Sequence, residues 1–174
     1  MLAICSTRGI VDDMLDAEEL RRHVTYDPET GIFRWAINRG PARIGNIAGS
    51  PEKRGYLRIR INYKPYWAHR LAWLYVTGAW PITDLDHINM VKSDNRFANL
   101  RPATRAQNNV NAPLRSDNSC GAKGVSRLPG GRYRATIHVD GRAVHLGTFA
   151  TIADAAEART KAAQEIYGEY YRAT

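Results

Sequence analysis

Cysteine is nearly absent from this chain: two in 174 residues, Cys5 and Cys120, far apart in sequence. Two thiols so placed build neither a disulfide framework nor a cysteine-rich zinc site, and a reducing cytoplasm is the compartment they fit. No run of about 18 apolar residues occurs, which excludes a transmembrane helix. The first residues, MLAICSTRGIVDDMLD, hold one arginine, a short mixed stretch and then acids, a pattern unlike a secretory signal. Internal repeats and low-complexity tracts are missing too. What is present suits a folded chain, since 44% hydrophobic and 24% charged residues exclude wholesale disorder. The length leaves room for one ordinary domain or two small ones.

Acids are scarce over most of the length. Against 25 Lys+Arg stand 17 Asp+Glu, a net charge of +8. Residues 1–30 carry three arginines and seven acids, whereas residues 31–145 carry nineteen Lys or Arg and only six acids. A solvated basic surface and a polyanion-binding surface both fit that count.

The pattern divides the chain. Residues 1–15 form a leader of no legible role. Asp16 opens a short helix through Val24, with Glu19 at the capping-box position. Tyr26–Gly31 reads as a turn, Ile32–Ile37 as a strand, and Gly45–Ser50 as a short Gly-bounded piece. Tyr56–Tyr63 alternates, with Leu57, Ile59 and Ile61 on one face and Arg58, Arg60 and Asn62 on the other, so Arg58 and Arg60 are candidates for tracking a phosphate backbone. Trp67–Thr77 is an apolar helix closed by Gly78. His69, on that helix, reads as structural or phosphate-contacting, and the four tryptophans as packing. Residues 112–122 are small and polar and make the best linker. Beyond it, Gly124–Arg127, Arg132–Val139 and Ala143–Phe149 read as strands joined by Pro-Gly-Gly and by Asp140-Gly141, a strong hairpin signal. Thr151 caps a helix to about Tyr167, with Ala155, Ala158, Ala162 and Ile166 on its packing face.

The densest chemistry lies at 82–111. Asp86-His87 at a strand end sends two side chains to opposite sides. One is then free to hold a metal while the other faces a water. Asn108 falls on a helix opened by Thr104 or Pro102 and brings a second side-chain oxygen. One carboxylate and one amide oxygen suit hard magnesium or manganese rather than zinc. A neutral His beside such a cation is a general base for water attacking phosphorus. Taken singly, each piece has an ordinary reading: a strand end, a cap, a turn amide at Asn99. Arg96 and Arg101, inside the same string, are placed to reach phosphates.

The string LDHIN…SDNRFANLRPAT…QNNVN resembles the HNH endonuclease family, in particular phage and homing members whose third motif residue is Asn. The resemblance runs from about Leu20 to Asn111 and includes the upstream YDPETGIFRWA, GYLRIRI and AHRLAWLY. It implies a ββα-metal fold in which His87 is the general base, Asp86 and Asn108 ligate the metal, and Asn99 braces the loop. Asn108 stands where the commonest pattern has a second His, and the Cys-x-x-Cys pairs of some relatives are missing. The implied cofactor is one divalent ion, magnesium or manganese.

The tail, Lys123-Gly124-Val125…Gly131-Arg132-Tyr133…Val144-His145-Leu146-Gly147-Thr148-Phe149…Ala153–Ala163, is similar to the Apetala-type, or ethylene-response-factor, DNA-binding domain. That resemblance implies a three-stranded sheet that enters duplex DNA, with Ser126, Arg132, Arg134, Thr136, His138 and His145 facing it. Plant members carry more Arg and Trp there. The expectation is an α+β protein: a basic N-terminal α/β region leading into a ββα-metal nuclease core at 82–111 within residues 16–111, a linker, and a reader at 123–174. It hydrolyses DNA phosphodiesters, as a nicking or site-specific enzyme. Its partner is double-stranded DNA and not a membrane, as a monomer or homodimer, in the cytoplasm of a bacterial host and encoded by a phage or prophage. The alternative is a DNA-binding regulator or packaging accessory with a vestigial centre. An RNA-directed nuclease fits less well, for no single-strand stacking module is evident.

Overall fold

A computed structural model describes residues 15–114 and 116–172. The leader, except Leu15, and Cys5 lie outside the described residues. Among the described residues the architecture is mixed α and β, with four α-helices and several small sheets. The chain divides into two compact units: one runs to Ile82 and resumes over His87–Arg101, and the other takes Thr83–Asp86 and the described chain from Pro102 onward.

In the first unit, α1 (Ala17–His23) starts where the Asp16 carboxylate accepts from the Glu19 amide at 2.7 Å. It satisfies one of the orphan donors of the first turn. Strands β1 (Val24–Tyr26) and β2 (Phe33–Trp35) pair antiparallel across a turn in which Asp27 accepts from Glu29 N and from the Thr30 hydroxyl. Strands β3 (Ser50–Pro51), β4 (Leu57–Ile61) and β5 (Lys64–Trp67) form an antiparallel sheet in that order. The alternation of β4 turns Ile59 and Ile61 into the core and leaves Arg60 exposed. Helix α2 (Ala68–Thr77) follows directly and ends on Gly78 in the left-handed region.

One element departs from the sequence expectation. Lys64–Trp67 is a strand, paired with β4 through a tight turn at Asn62 and Tyr63, both with positive φ. A two-residue turn of that kind normally announces itself by Gly, and here Tyr63 occupies the position instead. Pro65 is tolerated because β5 is an edge strand that needs no ladder donor there. The core of this unit is Leu20, Val24, Ile59, Ile61, Leu71 and Leu74, all at or below 1% exposure. Truncating any of its leucines or isoleucines to Ala removes about 2–5 kcal/mol.

The second unit begins its long stretch with α3 (Arg105–Val110), capped by Thr104 and Gln107 in a reciprocal capping box. Strands β8 (Val125–Arg127), β9 (Tyr133–Val139) and β10 (Arg142–Phe149) form an antiparallel sheet in the order β10-β9-β8. Asp140 and Gly141, both at positive φ, make the β9–β10 turn. Helix α4 (Ile152–Tyr167) packs on β9 and β10. Its buried residues are Ala155, Arg159 and Ala163, while Ile166 is 45% exposed. The packing face is therefore centred on the i, i+4 row through Arg159; of the expected 155/158/162/166 face, Ala155 is buried and Ala162 packs beside the row, while Ile166 turns outward. With alanines on adjacent rows, the sheet's position and not helix composition selects the row. Two clusters result: Val125, Ala135 and Ala155, with the free thiol of Cys120 beside them, and Val110, Ile137 and Ala163. Within 112–122 the chain is locally tied, with Asn118 donating to the Ala122 carbonyl and accepting from Cys120 N.

Strands β6 (Asp84–His87) and β7 (Leu100–Ala103) make a two-stranded sheet, and the division between units falls inside both strands. No helix among the described residues is long and apolar enough to cross a membrane.

Candidate active site

Strand β6 alternates as a half-buried strand does: Leu85 and His87 are buried, Asp84 is exposed and Asp86 half-buried. Asp86 and His87 therefore present opposite faces. At the strand end the His87 carbonyl accepts from Met90 N, and Met90 takes a positive φ to close the turn.

The loop from Ile88 to Asn99 is organised by one buried amide. Asn99 Oδ1 accepts from Asn89 N at 2.9 Å, and Asn99 Nδ2 donates to Asn89 Oδ1 at 2.9 Å and to the Asp94 carbonyl at 2.8 Å. Its backbone carbonyl accepts from Ile88 N at 2.9 Å. Asn89 in turn accepts from Val91 N and donates to Asp94 Oδ2. The Arg96 fork closes on the Asp94 carboxylate at 2.9 and 2.6 Å. These bonds, with the Arg96 contact first, hold Asp94 down at about 2. Arg96 is thus engaged, with its side chain still half exposed.

The β1–β2 hairpin carries this loop from outside. Tyr26 Oη donates to the Asn95 carbonyl at 2.7 Å, and Phe97 N donates to the Pro28 carbonyl at 3.0 Å. Gly31, at φ +73°, comes so near that a Cβ there would stand 2.5 Å from Arg96 N. Burial pushes the Tyr26 phenol well above its usual range.

Around His87 the structure adds two residues whose place in the site sequence reasoning missed. The His69 ring, on the first turn of α2, meets the His87 ring edge-on with centroids 5.1 Å apart and planes at 70°. Tyr56 lies 5.4 Å from His69 and 5.9 Å from His87, with Lys92 Nζ over its ring at 5.1 Å. His69 is 9% exposed, and its Nδ1 is buried without a hydrogen-bond partner. Burial first, then the charges of His87 and Arg70, push the His69 imidazole down to about 3. It is a neutral wall at ordinary pH. By sequence His69 reads as structural or phosphate-contacting, and no spacing rule puts its ring against His87.

The other candidate residues are placed as follows. Asp86 and Asn108 are both half-buried, on β6 and α3 of the second unit. Among the described residues no group of three or more His, Cys, Asp or Glu gathers to hold a metal ion. In the first unit Arg58 pairs with Glu52 at 3.2 Å and stacks on Trp67, while Arg60 is exposed and Arg101 half-buried in β7. On the C-terminal sheet, Ser126, Arg134 and Thr148 sit opposite one another across three strands, as do Thr136 and His145 across two. That face is turned away from the buried Ala135 and Ile137 and carries exposed Arg134, His138 and His145. Thr136 Oγ1 donates to the Gly124 carbonyl. Arg132 precedes β9 and donates to the Thr148 carbonyl at 2.9 Å.

Residues 66–110 match the sequence model of the HNH endonuclease family. The HNH segment begins in β5, takes in α2 with His69, and ends with α3. It supports a nuclease, and with it a hydrolase acting on DNA. No curated protein and no solved structure matches the chain.

Proposed function

We propose that this protein is a metal-dependent DNA endonuclease with a ββα-metal centre and a separate duplex-DNA reader. The observation that carries the reading is the Asn99 brace. A buried amide pins the loop that follows His87, inside the segment matching the HNH family. Its three side-chain bonds, with the Ile88 N to Asn99 O bond, hold the backbone that immediately follows His87, and holding a catalytic group in position contributes to rate.

His87 takes a proton from the attacking water, the new phosphorus–oxygen bond forms, and the leaving sugar oxygen departs from the opposite side. His69 and Tyr56 keep water from the buried side of His87. Asp86 and Asn108 would hold the cation. Their donors are a carboxylate and a carboxamide, both hard oxygens, and that set fits a magnesium-like ion that keeps much of its shell as water and phosphate, rather than zinc. When bound, the ion supplies positive charge to the developing phosphoryl oxygens and the leaving group. One such centre cuts one strand per engagement, so a monomer nicks. The exposed face of Arg134, His138 and His145, with Ser126 and Thr136, reads duplex DNA, as the Apetala-type resemblance implies, and residues 112–122 link reader to cutter. The phage or homing character follows the same resemblance.

The test is a supercoiled plasmid incubated with magnesium or manganese, with EDTA, and with His87→Ala. Nicked or linear product that needs the metal and is lost in His87→Ala, with duplex binding intact, supports the reading. Tight binding with no cleavage in any metal, on plasmid and on phage genomic DNA alike, replaces it with a DNA-binding regulator.

A further inference from the structure

Arg159 is the buried charge that the nuclease reading leaves unused. It occupies the middle of the α4 packing row between Ala155 and Ala163 and is only 7% exposed. Its stem lies against Gly124, where an added Cβ would come within 3.2 Å of Arg159 Cγ. Its guanidinium sits over the Tyr171 ring at 5.5 Å and makes no hydrogen bond or ion pair with any described residue. No Arg159 nitrogen is among the fully buried atoms that lack a partner, so its five donors, with no carboxylate on them, open onto the solvent of the cavity. A stacked ring answers the charge in part and the donors not at all.

The side chain lines a cavity of about 820 Å³ within the second unit. Small-molecule sites commonly span roughly 300–1,000 Å³. Arg105, Lys123, Arg127 and Arg159 bring four cations to its wall, against one carboxylate, Asp117. The Lys123 ammonium is occupied, donating to the carbonyls of Asn109, Val110 and Ala112 at the end of α3. Burial, and after it the charge of Arg159, hold it down at about 8. Val110 and Ile137 give the cavity an apolar side.

We propose that this cavity binds a phosphate group, anchored by the Arg159 fork with Arg105 and Arg127 at the wall. A planar guanidinium matches two phosphate oxygens at once, and an excess of three positive charges favours a multiply charged anion. The phosphate belongs either to a free nucleotide or to the backbone of bound duplex DNA. Ser126, Thr136 and His138 also line this cavity, so the site adjoins the proposed reader, but it does not depend on the nuclease reading.

The full chain is titrated with inorganic phosphate, with ADP and with a 20-base-pair duplex, and the Arg159 Nε–Hε resonance is followed by NMR in the wild type. Calorimetry on Arg159→Met and Arg159→Lys runs alongside, with circular dichroism as the folding control. Movement of that resonance with phosphate and ADP, and at least a tenfold loss of ADP affinity in Arg159→Met, establishes a nucleotide site. Movement with duplex alone, and a log K against log salt slope shallower by about 0.9 in the variant, assigns a backbone phosphate. An Arg159 resonance unmoved by all three ligands overturns the proposal, and it does so whether or not the variants fold.

Discussion

The His69 imidazole stands edge-on against that of His87, with ring centroids 5.1 Å apart. One ring is on the first turn of an apolar helix and the other at the end of a two-stranded sheet, eighteen positions later in the chain. Because burial holds His69 down at about 3, the folded protein keeps it neutral where the unfolded chain would protonate it. Between about pH 6.5 and 3 the unfolded state therefore binds more protons, and stability falls as pH falls. The steepest contribution of one such group is about 1.4 kcal/mol per pH unit. Urea unfolding of wild type and His69→Phe from pH 7 to 4 should show a flatter profile for the variant. Parallel profiles would mean that His69 is not held neutral.

Asp94 titrates lower. The Arg96 fork holds its carboxyl at about 2, so its stabilisation is complete above the ordinary carboxylate range near 4 and is lost as pH falls through 2. With the Arg96 side chain half exposed, solvent screening keeps this contribution small. Asp94→Asn should leave the pH 7 to 4 slope as in wild type and blunt only the loss below pH 4. A change in the upper limb would contradict the separation of the two groups.

The Asn99 amide both accepts and donates, so removing it and replacing it by a carboxyl have different effects. Asn99→Ala leaves the Asn89 amide and the Asp94 carbonyl without this partner, a loss of about 1–3 kcal/mol. Asn99→Asp keeps the acceptor but sets a carboxylate oxygen against Asn89 Oδ1 and the Asp94 carbonyl, both acceptors. At pH 7 it should be the less stable of the two in urea unfolding. It should recover toward Asn99→Ala at pH 4, as the new carboxyl takes a proton and donates. The reverse order would show that the amide's donors do not matter.

How far the residues disclosed all this depends on what each element's identity rested on. Strand β4 was legible because Leu57, Ile59 and Ile61 alternate with polar residues, and the β9–β10 turn because Asp140-Gly141 tolerates positive φ. The Asp86-His87 pair and Asn99 were legible as types at a spacing. The partners that give them their setting were not. Tyr56 and His69 are far apart in sequence, and only the sheet-to-helix crossing of β4, β5 and α2 brings both rings to His87. Arg159 was hidden because periodicity scores charge as solvent-facing, whereas the row facing the sheet was selected by packing on Gly124.

DNA affinity should sort the arginines by what already holds them. Arg60 and Arg134 are exposed, whereas Arg58 is paired with Glu52 and stacked on Trp67. If Arg60 and Arg134 each neutralise one duplex phosphate, replacing either by Ala makes the log K against log salt slope shallower by about 0.9. Arg58→Ala should change it by less, since its charge is already met. Fluorescence anisotropy on a labelled duplex between 50 and 200 mM salt measures all three. Equal effects at the three positions would mean that the Glu52 pair opens on binding.

Gly31 tests whether the β1–β2 turn holds the site loop. Its φ of +73° is one that L side chains resist, and a Cβ there would meet Arg96 N at 2.5 Å and Asn95 C at 2.6 Å. Both are backbone atoms of the loop braced by Asn99, so neither swings aside as a side chain does. Gly55 has the same hand, φ +85°, with nothing within 4 Å of the added carbon. Gly55→Ala should cost only the backbone strain, about 1–2 kcal/mol. Gly31→Ala should cost that and, in addition, overpacking of about 1–3 kcal/mol. It should also cut plasmid nicking more than Gly55→Ala does at a temperature where both remain folded. Equal losses of stability at 31 and 55 would leave the hairpin as a mere neighbour of the loop. A larger loss at 31 with unchanged nicking would separate holding the loop from placing His87.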